Sequence, residues 1–519
     1  MALSRLEKAQ VWLFKAVMGV FSLLLRFLSP RRPTVSGKKL PPVSNPLLLL
    51  SATQLAKKIR RREVSSVEVV QAYIDRIQEV NPLLNAVVKD RFAAALQEAA
   101  QVDKLIEEET GGEEVLEDRL PLLGVPLSVK ESFALLGMPF TTGMISRRRV
   151  VATVDSPLVA QLKRAGAIPL GVTNTSELCM WGESHNHLYG ITSNPYDLER
   201  TSGGSSGGEG SILGGAGAVI GVGSDIGGSI RIPCFFNGIF GHKTTPGVVS
   251  CENQYPPTSG RQDEYLSSGP MCRYAEDLLP MLKIMAGPKA HMLSLNTKVD
   301  LKKLRFFTIP HDGGSAFTYP VSKDLIDIQR KVVRRLEADF GVKVQEVQFP
   351  ELRYGFQIWD TYMGLPDKEG KPPKPFAELM GEPGRPAWPV WELLKWMIGK
   401  SEHTLAGAIK SSSFIIQQKE KLQKEVEELL GTDGVFFYPS HPRVAPKHHH
   451  PLFRPFDFTY TGIINILGLP ITQCPLGLNE EGLPLGVQVV GGKLQDHLTL
   501  AVALYLENTF GGWRDPGAN

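Results

Sequence analysis

Cysteine is scarce in this 519-residue chain: five residues, Cys179, Cys234, Cys251, Cys272 and Cys474. The number is odd and no two form a CxxC pair, which argues against a disulfide framework and against a zinc knuckle. Each is expected to serve as a small buried hydrophobe. A charge excess is also lacking. Fifty-seven basic residues face 54 acidic ones, for a formal net charge of +3, and nothing in that balance suggests a nucleic-acid partner. No Pro-, Gly- or Ser-rich linker divides the chain internally. No glycine-rich loop carries a Lys-Ser/Thr at Walker spacing, and no GxGxxG opens a helix, so phosphate binding has no motif behind it.

Long apolar runs are missing as well. The N-terminal segment 11–28, VWLFKAVMGVFSLLLRFL, holds its longest apolar or small stretch from Ala16 to Leu25, bounded by Lys15 and Arg26. A membrane-spanning helix wants about 20 apolar residues, so this segment spans only if both charges snorkel. Three readings compete: a signal-anchor helix, an amphipathic or hairpin anchor lying on the surface, and a cleaved signal peptide. The last is disfavoured, because Arg26 and Pro30-Arg31-Arg32-Pro33 stand where a small-x-small cleavage site belongs. Basic residues lean to the C-terminal side, which weakly favours a cytosolic domain by the positive-inside rule. We therefore expect an anchor over residues 1–29, an extended spacer over 30–48, and a folded domain over 49–519. The one sequon, Asn174-Thr175-Ser176, follows a predicted strand and says little about glycosylation.

What is present is an alternation of two patterns. Ser51–Gln54 and Ser65–Glu68 match capping boxes and open helices. Helical periodicity recurs over 91–108, 156–165, 320–339 and 497–509. Between these lie short, β-branched, nearly continuous apolar runs at 125–129, 167–172, 218–223, 435–437, 471–474 and 485–490. Strands buried on both faces read this way. The fold class is α/β: one large domain with a central twisted mixed β-sheet covered by helices on both faces.

Two glycine-serine stretches stand out: Thr201-Ser-Gly-Gly-Ser205-Ser206-Gly-Gly-Glu-Gly210, and Gly221-Val-Gly-Ser-Asp225-Ile-Gly-Gly-Ser229-Ile-Arg231. Such stretches are usually loops or linkers. Here, however, a buried strand runs into Asp225-Ile226-Gly227-Gly228-Ser229. A serine behind two glycines at a strand end can sit under converging backbone N–H groups, as an oxyanion hole requires. A serine nucleophile needs a base. Lys130 ends the apolar strand beginning at Gly124, an unusual place for lysine, and burial there lowers its proton affinity. A second reading stays open: Gly203–Gly207 matches GxSxG, the nucleophile elbow of an esterase, with His441 or His497 as partner. Against it, no apolar helix is apparent after the glycines. Ser36-Gly-Lys-Lys39 matches SxxK but lies in the spacer without SDN or KTG partners.

The Lys130 strand, Gly203–Gly208 and Gly223–Arg231, at spacings of 75 and 24 positions between Lys130, Ser205 and Ser229, resemble the amidase signature family of Ser-Ser-Lys hydrolases. Gly171–Asn174, Tyr460–Pro470 and Gly482–Gln488 extend the resemblance to residues 50–510. It implies Ser229 as nucleophile, Lys130 as general base and then acid, and Ser205 as the proton bridge between them. It also implies an oxyanion hole from the N–H groups of Ile226, Gly227, Gly228 and Ser229, with Ser206, Asp225 and Arg231 in support. No metal or cofactor is implied, and Lys447-His448-His449-His450 reads as a solvated loop rather than a metal site. Within the family, the N-terminal anchor and the His441–His448 stretch resemble members acting on lipid amides. These imply primary fatty-acid amides such as oleamide and N-acylethanolamines such as anandamide, a membrane as partner, and an endoplasmic-reticulum or lipid-droplet location. Leu178–Trp181 is expected to line the acyl pocket, and a homodimer is the family habit. Trp388, Trp391 and Trp396 suit either a membrane interface or an aromatic core helix. A family member for small polar or aryl amides, or an amidotransferase subunit, is the alternative.

Overall fold

A computed structural model describes residues 39–374, 378–379 and 414–518. The expected anchor, the first part of the spacer (30–38) and the Trp388–Trp396 stretch lie outside these. Among the described residues no helix is long and apolar enough to cross a membrane.

Both capping boxes form. Ser51 and Gln54 cap the helix Ala52–Arg60 (α1), and Ser65 and Glu68 cap Ser66–Leu84 (α2) reciprocally. Residues 39–48 depart from the expected spacer. Leu40 and Leu48 are buried in the core, and the Val43 N–H donates to the Asp515 carboxylate at 2.8 Å. Apolar side chains at alternate positions let a proline-rich strip lie on the domain instead of extending away from it.

Eleven strands make one mixed sheet. In chain order they are Val87–Asp90 (β1), Pro126–Lys130 (β2), Ile168–Thr173 (β3), Ile220–Asp225 (β4), Phe240–Lys243 (β5), Ser267–Cys272 (β6), Arg305–Thr308 (β7), Val344–Glu346 (β8), Gly434–Tyr438 (β9), Ile471–Leu478 (β10) and Pro484–Gly491 (β11). Across the sheet the order is β1-β3-β2-β4-β6-β5-β10-β11-β9-β7-β8. The apolar runs read as strands all lie in it. β2, β3, β4 and β9 are buried at every position, as continuous hydrophobicity predicts.

The trio β3-β2-β4 is parallel. Lys130, Thr173 and Asp225 therefore end neighbouring strands on the same edge of the sheet, the edge where parallel α/β sheets place their chemistry. From β4 onward, pairing turns antiparallel through β6, β5, β10, β11 and β9. Four further helices frame that edge: Gly207–Gly214 (α3), Arg231–Phe236 (α4), Gly355–Met363 (α5) and Thr459–Ile466 (α6). α3 corrects one expectation. A helix does follow Ser206 directly, but its glycines, serine, apolar residues and single glutamate are all buried, so no amphipathic stripe announces it.

Candidate active site

Lys130 is inaccessible to solvent, and its Nζ donates to Ser205 Oγ at 2.7 Å and to Ser224 Oγ at 3.1 Å. Burial lowers its proton affinity from the usual lysine value, while Cys179, Asp225 and Glu209 pull the other way. Ser229 lies across from this pair. Its carbonyl accepts the Ser206 N–H at 3.2 Å, so the two glycine-serine stretches are stitched together at the reacting end. Ser205, Ser224, Ile226 and Ser229 all open onto one pocket of about 600 Å³ including its mouth. Among the described hydrogen bonds there is none between Ser205 Oγ and Ser229 Oγ. Ser206 Oγ is buried without a partner, so its support comes through its backbone.

The loop 225–231 is held from inside. Asp225 and Arg231 are fully buried and paired, with Nη2–Oδ1 at 2.9 Å and Nε–Oδ2 at 3.1 Å. Burial alone would raise the carboxyl of Asp225, but Arg231 holds it well below the usual range. Asp225 also accepts the N–H groups of Gly228 at 2.8 Å and Ile230 at 3.0 Å. This alters the expected oxyanion hole, because the Gly228 N–H is spent on the carboxylate. The N–H groups of Ile226, Gly227 and Ser229 have no acceptor among the described hydrogen bonds. Gly228 itself adopts φ +124°, and a Cβ there would stand 2.1 Å from Thr461 Oγ1, so glycine is required twice over. Arg231 reaches further, donating to Thr461 O, Gln488 Oε1 and Asn465 Oδ1. Trp359 Nε1 donates to Ile226 O at 2.9 Å and steadies the loop from α5.

The histidines required by an esterase are placed elsewhere. His441 turns its Nδ1 to the Arg443 carbonyl and its ring edge to Phe236, and burial lowers it to about 4. The tract 447–450 is solvated as expected at Lys447 and His449, while His448 and His450 are half-buried. His448 and His449 face the buried Glu183 carboxylate at 2.9 and 3.7 Å, and no His/Cys/Asp/Glu group suited to a metal occurs among the described residues. The sequon is buried too, with Asn174 inaccessible.

All five cysteines are free thiols. Cys234, Cys272 and Cys474 are buried as expected. Cys179 is instead half-buried on the pocket wall, because Leu178 and Cys179 turn with positive φ and bring the thiol to the surface of the cavity. Met180 joins it there, while Leu178 is buried and donates its N–H to Thr142 O. The rest of the wall includes Leu266, Trp359, Met363 and Leu379, an apolar surface fit for a hydrocarbon chain. Sequence reasoning missed Ser224, Trp359 and Glu209. Glu209 had a signal: it is the one charged residue in the small and apolar run Gly207–Gly217.

Comparison with known proteins follows this geometry. The family model described as "Amidase" matches residues 68–500. Over 528 residues the chain is 68% identical to "Fatty-acid amide hydrolase 2-A" of Danio rerio, covering all of this chain and 99% of that one. It is 53% identical over 530 residues to "Fatty-acid amide hydrolase 2" of Homo sapiens, covering both in full. A solved "Fatty acid amide hydrolase" superposes with a TM-score of 0.72 over 90% of this chain and 86% of that one, at 24% identity.

Proposed function

The chain belongs to the amidase signature family, and from that premise we propose that it is a serine hydrolase of fatty-acid amides, with Ser229 as nucleophile and Lys130 as base acting through Ser205. The observation that carries the mechanism is the buried 2.7 Å contact between Lys130 Nζ and Ser205 Oγ, the latter lining the same apolar pocket as Ser229.

Desolvation lowers the proton affinity of Lys130, which as the free amine takes the Ser205 proton. Ser205 Oγ takes the proton of Ser229, whose oxygen attacks the amide carbonyl carbon. Negative charge builds on the carbonyl oxygen and is met by the N–H groups of Ile226, Gly227 and Ser229, with contributions of about 3 kcal/mol per donor in such sites. On collapse the proton returns from Lys130 through Ser205 to the leaving nitrogen, which departs as ammonia or an amine. Water then releases the fatty acid from Ser229 by the same relay.

The substrate class rests on the apolar wall and on the names of the relatives at 68% and 53% identity. Attachment to a membrane, at the endoplasmic reticulum or a lipid droplet, rests on the apolar run Ala16–Leu25. The test uses the full chain in detergent with oleamide, quantifying oleic acid and ammonia, beside Ser229→Ala and Lys130→Ala. Fatty-acid release that is lost in both variants supports the reading. Fluorophosphonate labelling of Ser229 without oleamide turnover moves the substrate to small amides. Turnover that survives Ser229→Ala and is lost in Ser205→Ala revives the esterase.

A further inference from the structure

On the face of the sheet that carries Lys130 lies a carboxylate that the steps above do not use. Glu209 is inaccessible to solvent. Its Oε2 accepts Ser128 Oγ at 2.5 Å and its Oε1 accepts Thr173 Oγ1 at 2.8 Å. The carboxylate thus straddles three neighbouring strands, Thr173 on β3, Ser128 on β2 and Gly221 on β4. A Cβ at Gly221 would stand 2.0 Å from Oε2, so that glycine makes the room. Ser128 precedes Lys130 by two residues and shares its face. Thr173 is the direct β3 partner of Lys130. Glu209 itself follows Ser205 by four residues, about one helical turn into α3.

We propose that Glu209 is a positioning residue for the proton relay: it pins the helix that follows Ser205 to the strand that carries Lys130, and its negative charge sets how tightly Lys130 holds a proton. The inference rests on the reading of Lys130 as the base. The groups that face Lys130 are the hydroxyls of Ser205 and Ser224, the Cys179 thiol, and the carboxyls of Asp225 and Glu209. Those that face Glu209 are Ser128, Thr173, Lys130 and the buried Cys234 thiol. Asp225 is locked as an anion by Arg231, so its charge is constant. Glu209 has no counter-ion in contact, and burial pushes it up to about 7. Of the two carboxyls that act on Lys130 it is therefore the one whose charge changes near neutral pH; Glu131, next in the chain and also pushed up to about 7 by burial, turns its carboxyl away to Thr141 and Thr142.

Glu209→Gln keeps the shape and removes the charge. The measurement is the rate of fluorophosphonate labelling of Ser229 in the full-length protein as a function of pH, together with labelling at its plateau. Without the anion, Lys130 loses its proton more easily, so the acidic limb moves down by about one pH unit. Thr173→Val leaves Glu209 in place, removes one hydrogen bond to its charged form, and moves the limb the same way by less. A merely structural role for Glu209 lowers the plateau and leaves the limb in place. Limbs that superimpose on wild type in both variants overturn the proposal, and Thr173→Val alone decides should Glu209→Gln not fold. A wild-type chain that does not label sinks the catalytic reading and this one with it; a labelled wild type with unshifted variants sinks this one alone.

Discussion

Asp225 and Arg231, six residues apart and both sealed from solvent, face each other through two hydrogen bonds of 2.9 and 3.1 Å. Every polar atom of the pair is occupied: the carboxylate takes loop N–H groups, and the guanidinium reaches Thr461, Asn465 and Gln488. Breaking a buried pair on one side leaves an uncompensated charge and costs about 3–5 kcal/mol. Asp225→Ala is accordingly expected to destabilise by that amount in urea unfolding and to abolish labelling of Ser229. An Asp225→Ala protein as stable as wild type would remove the pair from the account of the loop.

Lys130 gives a different signature. Its burial is a cost, because the unfolded chain binds a proton that the folded chain holds less tightly. The penalty is absent above the unfolded value near 10.5, grows as pH falls, and levels off below the depressed folded value. Lys130→Met removes both the base and the penalty. Hydrolysis is expected to fall by about 10³-fold or more, while the melting temperature rises or holds, more so at pH 7 than at pH 10. Calorimetry at the two pH values, beside an activity assay, checks both halves. A melting temperature that drops equally at both would show that the lysine is a structural tie.

Gly228→Ala tests the oxyanion loop. The backbone sits where an L-residue is strained by about 1–3 kcal/mol, and the new methyl would collide with Thr461 Oγ1. The loop must shift, carrying the Ser229 N–H with it. We expect a loss of about 10²-fold in kcat with KM little changed, as for a defect felt in the transition state. A variant with unchanged kcat would place the oxyanion donors elsewhere.

Much of this was legible in the sequence because burial on both faces leaves a simple mark. β2, β3 and β4 are apolar or small along their length, and the lysine and aspartate that end two of them break that pattern visibly. Of the strands that were missed, β1, β5, β6, β7 and β8, the central β5 and β6 carry His, Lys and Ser, whose polarity is satisfied only by partners distant in the chain. His242 illustrates this, bonded to Thr472 and to Asp496. Ser224 was passed over because its role depends on Lys130 arriving from another strand. The resemblance implies the Gly228 N–H as an oxyanion donor but does not reveal that the Asp225 carboxylate holds it. The histidine tract was legible only in part, because the Glu183 carboxylate that His448 meets lies 265 positions away.

The reach of Arg231 across 230, 234 and 257 positions to Thr461, Asn465 and Gln488 also orders events during synthesis. A growing chain contains Lys130, Ser205 and Ser229 well before it contains the residues that steady their loop. Until α6 and β11 emerge, Arg231 has Asp225 but not Thr461, Asn465 or Gln488, and the loop above the nucleophile is not tied down. A chain ended at residue 458 therefore carries all three reacting side chains and does not label with a fluorophosphonate. Reactivity toward acyl groups is withheld until the protein is nearly complete.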